Sequence, residues 1–378
     1  LSASLMPINR LCFNGLRNLA ATDVAPGPGI NLVVGANGSG KTSVLEGLHL
    51  LGMGRSFRTR HLKHAIAHDA EAMTLFARLG GDDSSLPIGL RRARDVSELE
   101  LRMGGERVSR LARLTEALPL QLVNPDAFRL LEGPPSGRRE FIDWGVFHVE
   151  HGFFDAWRRA RRALKHRNAL LRHGKIHDDS LPVWEAELAH WGERLDVFRH
   201  SWMSAFQPIF EETLADLLSL PELTLRYSRG WDRQRDLTTV LSQARETDRQ
   251  MGFTQQGPQR ADLRIRVGRH PAIEVLSRGQ QKLVVSALKL SQGRLLQRMT
   301  GRTCLYLVDD LPAELDADHR RVFCQLLEKM GCQTFITSVE HDALVGPWSS
   351  HAALTMFHVE RSPSGQGRLV PIGHGQTS

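Results

Sequence analysis

Cysteine-based metal sites and disulfide stapling are the first things the chain lacks. Its four cysteines, Cys12, Cys304, Cys324 and Cys332, form no CxxC pair and stand in no His/Cys cluster of ligand spacing. That argues against a zinc site and points to a reducing compartment, with the thiols as small buried apolar groups. No early segment combines a basic flank, an apolar run and a small-residue cleavage site, and no apolar stretch approaches the roughly 20 residues that span a bilayer. A cytosolic protein is expected. Internal repeats are missing, as are helix-turn-helix and zinc-finger signatures, so any nucleic-acid contact should read the backbone rather than base edges.

What is present is a chain of 378 residues, 41% hydrophobic and 24% charged, long enough for a large core and more than one domain. A formal net charge of +7 favours a polyanionic partner but is modest for this length, so the distribution of charge has to decide.

Strand patterns at Ile8–Phe13 and Leu19–Val24 precede the turn PGPG and the buried-strand run Ile30–Val34. A glycine-rich turn follows, then the helical pattern TSVLEGLHLL. Met73–Leu79, Leu86–Leu90 and Glu98–Met103 predict an antiparallel meander beside a mixed main sheet. From Phe153 the character changes. Phe153, Trp157, Ala160, Leu164 and Leu171 mark one helical stripe, while Arg158, Arg159, Arg161, Arg162, Lys165 and Arg167 crowd the remaining circumference. Beyond the turn-like HGKIHDDSLP, Trp184, Leu188, Trp191, Leu195, Phe198 and Trp202 recur at alternating spacings of four and three, a heptad-like seam. The two segments predict an antiparallel helical hairpin, far too short for the coiled coil of a chromosome-bridging protein, and Pro208 should kink or end its second helix. ELTLRYS, ADLRIRV, CLYLV and QTFIT predict returning strands, with helices over Val275–Met299 and Asp316–Met330.

GANGSGKT, Gly35 to Thr42, matches the G-x-x-x-x-G-K-[ST] phosphate loop, with the required strand before it and helix after it. Gly35, Gly38 and Gly40 let the backbone turn tightly and aim N–H groups at phosphate oxygens, with Asn37 and Ser39 inside the same loop. Lys41 supplies a positive charge to the beta and gamma phosphates of ATP, and Thr42 an oxygen ligand to Mg2+. CLYLVDD brings a carboxylate to the C-terminal edge of the sheet, where Asp309 can hold Mg2+ and Asp310 can polarise the attacking water. The pair could instead start a helix, but Asp316 is the better N-cap for the helix that follows. Many nucleotidases of this architecture carry Glu after the magnesium aspartate. Asp310 is one methylene shorter, which predicts slow hydrolysis or dependence on tight closure.

More than two hundred residues beyond the loop, LSRGQQK opens another helix. Ser277 with the N–H groups near Gly279 makes either a second anion site, Gln280 beside it as a polar hand, or an ordinary N-cap.

The phosphate loop, the serine motif, Cys304–Asp310 and PAELD occur in the order seen in ATP-binding-cassette (ABC) proteins. Within that superfamily the chain resembles the RecF family, of the SMC/Rad50-like branch, over nearly its whole length. FNGLRNL, GRSFRT, GPPSGRREFIDW, GPQRADLRI, LSRGQQKL and YLVDDLPAELD carry the resemblance. It implies an α/β ABC-type ATPase head with a mixed sheet and an antiparallel lobe, plus a helical hairpin second domain: head over 1–140 and 251–378, helical arm over 141–250. It also implies a weak ATPase using ATP and Mg2+, with Lys41, Asp310 and Ser277 catalytic, in a homodimer formed on ATP binding. In that dimer Ser277, Gly279 and Gln280 meet the gamma phosphate held by Lys41 of the partner subunit.

The implied function is recombination mediation with RecO and RecR, promoting RecA loading at single-strand gaps during DNA repair and the SOS response, in the cytoplasm near the nucleoid. Duplex and gapped DNA are the implied ligands, with the basic run Arg158 to Lys175 as the candidate surface. A noncatalytic ATP-dependent clamp and an ABC transporter subunit are the alternatives. Arg55 and Arg58 face nucleotide or DNA, or are simply solvated. Gln121 or Asn124 occupies the polar sensor region, Thr337 and Ser338 the switch region, and His341 follows slightly later. One departure is Gln259 in GPQR, where RecF-like chains commonly have His; a neutral amide keeps the hydrogen bonding without the titration.

Overall fold

The computed structural model describes residues 7–81, 85–173, 180–349, 351–363 and 365–372. Along the chain the strands are β1 (Ile8–Asn14), β2 (Thr22–Val24), β3 (Ile30–Val34), β4 (Ala72–Leu79), β5 (Leu86–Ala93), β6 (Glu100–Met103), β7 (Glu106–Arg107), β8 (Leu120–Val123), β9 (Leu223–Ser228), β10 (Asp262–Val267), β11 (His270–Pro271), β12 (Leu305–Val308), β13 (Thr334–Ser338), β14 (Leu354–Arg361) and β15 (Gly367–Ile372). Contacts divide the chain into two compact units, one running through Ala127 and resuming at Lys282, the other Phe128–Gln281. These junctions differ from the expected ones near 140 and 250. Helix Pro135–Val149 packs on helix Ser180–Leu217 and on β10, and β10 pairs with β9, which keeps all of them in the second unit.

The first unit holds two six-stranded sheets. One is antiparallel, in the order β2-β1-β4-β5-β6-β7; the other is mixed, β15-β14-β3-β13-β12-β8, antiparallel only at β15. The predicted meander is thus a sheet of its own. Every residue of β3, β12 and β13 is buried, as expected of central parallel strands covered on both faces. Helix Lys41–Met53 lies between the sheets, packing Leu45, Leu48 and Leu51 with Phe13, Leu75, Phe335 and Phe357 in one core. Burying each such side chain contributes about 1.5–3 kcal/mol, so the core holds the helix start fixed at the edge of the mixed sheet.

The second unit is built on the hairpin helices Phe153–His173 and Ser180–Leu217, with the small sheet β11-β10-β9. Residues 174–179 of their connection, including Lys175, lie outside the described residues. The buried stripe of the first helix is Phe153, Ala156, Ala160, Ala163, Arg167 and Leu171; Trp157 and Leu164 flank it, half-buried. Arg167, expected on the basic circumference, is instead fully buried. Its guanidinium bonds Asp248 at 2.6 Å, Glu185 at 3.1 Å, Thr254 at 2.8 Å and the Leu241 carbonyl at 3.1 Å. Nor does Pro208 end the second helix, which continues to Leu217. The backbone bond lost at the proline is outweighed by burial of Ile209, Phe210, Leu214 and Leu217 beyond it.

Candidate functional site

β3 delivers the chain into the phosphate loop, where Gly35, Gly38 and Gly40 all have positive φ. At Gly35 the reason is also steric, since a Cβ there would stand 2.8 Å from the Val359 carbonyl and 2.9 Å from Ser39 Oγ. No side chain caps the helix that starts at Lys41, so its first N–H groups and its positive dipole end are left for an anion. Asn18 braces the loop from outside: its amide donates to the carbonyls of Gly38 (3.1 Å) and Ser39 (3.3 Å) and accepts from Ser43 Oγ (3.3 Å). Lys41 is buried, and its Nζ donates to the carbonyls of Gly35 (2.7 Å) and Ala36 (3.0 Å). Burial lowers its pKa, against the opposing pull of Asp310 and Asp309. Asn37 and Gly38 are exposed at the loop tip, while Ser39 Oγ is a buried hydroxyl without a partner among the described residues.

The two halves of the expected site meet. Thr42 Oγ1 donates to Asp309 Oδ1 at 3.0 Å, across 267 residues of sequence. β12 pairs in parallel with β13, and the Thr337 hydroxyl on β13 donates to the same carboxylate oxygen at 2.8 Å. Burial raises the Asp309 pKa, while the bonds from Thr337 and Thr42 hold it down. Asp310 takes the left-handed conformation, φ 52° and ψ 55°, and heads the short helix Leu311–Glu314 without capping it through its side chain. Asp310 thus stands at a helix start, as one of the sequence alternatives has it, but its carboxylate is not used as a cap. Asp316 is the N-cap of the next helix, accepting from the His319 N–H at 3.0 Å.

Sequence reasoning missed the support behind these residues. Glu46, fully buried on the phosphate-loop helix, is held by Arg17 at 2.8 Å and Arg58 at 3.3 Å and accepts from Ser56. Arg58 is accordingly an exposed arginine that also pairs with a buried acid, and the Arg55 carbonyl takes a bond from His49 at 2.7 Å. The one available signal was an acid in the middle of an apolar helix. Gln121 is buried with its amide on Gln292 at 3.0 Å, whereas buried Asn124 directly follows β8, which pairs with β12. Ser338 is buried, and His341 lies against Asp342.

In the second unit, Ser277 and Gln280 form a reciprocal cap. Ser277 Oγ accepts the Gln280 N–H at 3.3 Å, and the Gln280 side chain accepts the Ser277 N–H at 3.0 Å. Ser277 and Gly279 are exposed, and a Cβ on Gly279 would meet nothing within 4 Å. Gln259 donates to the carbonyls of Thr254 (3.3 Å) and Gln256 (3.0 Å), so it serves its own turn.

A family profile described as the RecF/RecN/SMC N terminal domain matches residues 7–361. The DNA replication and repair protein RecF of Chromohalobacter salexigens is 68% identical over 365 residues, covering 97% of this chain and 99% of the relative. The chain belongs to the RecF family. RecF of Pseudomonas aeruginosa is 50% identical over 368 residues, 97% of this chain and 99% of the relative. A solved structure of the recombination mediator protein RecF with ATP superimposes with a TM-score of 0.85 at 22% identity, over 99% of both chains, so the RecF fold extends across the whole chain. It is the mixed α/β fold of an ABC-type ATPase head with a helical region.

Proposed function

We propose that the chain is an ATP-dependent recombination mediator that binds DNA, dimerises on ATP and acts with RecO and RecR to promote RecA loading at single-strand gaps, in the cytoplasm near the nucleoid. The observation that carries the reading is the 3.0 Å contact of Thr42 with Asp309, which joins the phosphate loop to the strand-end acid beside buried Lys41. The donors fit a magnesium nucleotide. Thr42 and Asp309 offer hard oxygen ligands, and the orphaned Ser39 hydroxyl lies in the loop that would cradle phosphate. Bound there, Mg2+ would neutralise charge on the phosphate oxygens.

Around it the chain's own residues divide the work. Lys41 leaves the Gly35 and Ala36 carbonyls for phosphate oxygens, Asn37 closes the gamma side, and Asp310 accepts a proton from the attacking water. Asn124 is the sensor amide in preference to Gln121, whose side chain is already committed to Gln292. Ser277, Gly279 and Gln280 of one protomer complete the ATP site of the other. Gly279 lets a phosphate approach the open N–H groups of the helix start, and the reciprocal cap holds Ser277 in place. ATP binding and dimerisation are then linked, and hydrolysis reopens the dimer.

The test is dimer fraction and ATP turnover, with and without gapped DNA, for wild type and Ser277→Arg. Loss of ATP-dependent dimerisation in the variant supports the shared site. A monomer that hydrolyses ATP normally overturns it. Wild-type clamping on DNA without turnover would instead assign a noncatalytic clamp, the alternative that the short Asp310 side chain keeps in view.

A further inference from the structure

The small sheet of the second unit carries an arrangement that folding alone disfavours. In the antiparallel pair β9–β10, Arg226 stands directly opposite Arg264, and Thr224 opposite Arg266. Partners directly across such a pair share a face with Cβ atoms about 5 Å apart, where like charges destabilise. Arg226 and Arg264 are exposed, and neither side chain has a hydrogen bond or ion pair among the described residues. Among the described residues the Arg266 side chain bonds the Arg269 carbonyl alone. Asp262, the acid on the same strand, is already held bidentately by Arg138 at 2.7 and 3.2 Å. Glu222 stands at the Arg266 end of the pair, two residues before Thr224 and beside Gly268, away from Arg226 and Arg264. Between the strands and the segment Pro271–Ile273 lies a recess of about 180 Å³, mostly apolar in its lining, whose charged residues are Arg138 with its partner Asp262, Arg264 and Arg266. The hairpin differs: Arg158 and Arg159 share Asp155, Arg161 lies 5.0 Å over the Trp157 ring and Arg159 4.8 Å over Trp191.

We propose that the exposed face of β9 and β10 is a contact surface for the sugar–phosphate backbone of nucleic acid, Arg226 and Arg264 each taking one phosphate and Arg266 a third at the recess. A polyanion supplies the counter-charge that the side chains of Arg226 and Arg264 lack among the described residues, and contacts of this kind carry no sequence preference. The assignment rests on the DNA-binding reading above and places a contact outside the basic run of the hairpin.

The test uses the full chain with ATP and gapped duplex, with affinity measured across salt concentrations for wild type, Arg226→Gln/Arg264→Gln and the charge-keeping Arg226→Lys/Arg264→Lys. Each lost phosphate contact lowers the slope of log K against log salt by about 0.9, so the Gln pair should lose about 1.8 and the Lys pair recover most of it. ATP-dependent dimerisation should be unchanged in both. Affinity and slope unaltered in the Gln pair overturn the assignment alone, whereas wild type that binds no DNA overturns the underlying reading with it. Competition by inorganic phosphate at matched ionic strength would reassign the face to a free anion.

Discussion

Thr337 Oγ1 lies 2.8 Å from Asp309 Oδ1 and accepts the N–H of Asp310, also at 2.8 Å, so one buried hydroxyl aims both acids of the strand end. Valine in its place keeps the shape but leaves the Asp310 N–H without its partner, a loss of about 1–3 kcal/mol. Thr337→Val is expected to raise the Mg2+ concentration for half-maximal ATP turnover and to cut turnover about tenfold, while Thr337→Ser retains most of it. Turnover titrated against Mg2+ decides, and an unchanged curve in the valine variant would remove Thr337 from this role.

How much of this was legible in the sequence depended on where the partners lay. Ile30–Val34 is a strand with the predicted limits because a run apolar but for Asn31, whose side chain bonds the preceding Gly27–Gly29 turn, fits a strand covered on both faces. The Asp316 cap depended on residues three apart. Arg167 failed the same kind of reading. Its helix, taken alone, puts a cation among cations, and what buries it are Asp248 and Thr254, 81 and 87 residues later. The Thr337 contact was equally hidden, since it needs the parallel pairing of β12 with β13.

Asp310 combines an acid with a left-handed backbone. Asparagine tolerates that conformation but cannot accept a proton as a base. Asp310→Asn is therefore expected to lower ATP turnover by about 10² to 10⁴ while ATP-dependent dimerisation and the thermal midpoint stay at wild-type values. Single-turnover hydrolysis beside sedimentation in ATP separates the two. Undiminished hydrolysis would take Asp310 out of the base role.

Arg167 is fully buried between Glu185 and Asp248, and Arg245 also reaches Glu185 at 2.6 Å. Removing the central cation strands two acids, one of them wholly buried. Arg167→Ala should cost about 3–5 kcal/mol in urea unfolding, against less than about 0.5 kcal/mol for the exposed Arg161→Gln. Equal losses would mean that the buried network does not hold this unit together.

Gly367 begins β15 and lies against the phosphate loop, its N–H donating to the Asn18 carbonyl at 2.7 Å. A Cβ there would sit 1.9 Å from the Ser39 carbonyl oxygen, a backbone atom that can yield only if the loop moves. Gly367→Ala is expected to weaken ATP binding at least about tenfold, since a displacement of about 1 Å is enough to spoil such a site. Titration with a fluorescent nucleotide analogue measures it, and wild-type affinity would show that the strand follows the loop without cost.

His49 gives the fold a dependence on acid. It is buried in the phosphate-loop helix, edge-on to Phe57 at 5.3 Å, with Nδ1 2.7 Å from the Arg55 carbonyl, which can only accept, so this nitrogen carries the proton of a neutral ring. Burial pushes its pKa down from the ordinary 6.5 to about 4, the Arg55 carbonyl opposing. Between those values the unfolded chain takes up a proton that the folded chain refuses. Stability contributed by the neutral ring is thus present above about 6.5 and lost as pH falls towards 4. The full effect is of the order of 3 kcal/mol. His49→Gln keeps a donor for the carbonyl and removes the titration, so its urea midpoint should fall less steeply with acid across this window than that of wild type. An equally steep fall in the variant would assign the acid sensitivity to other groups.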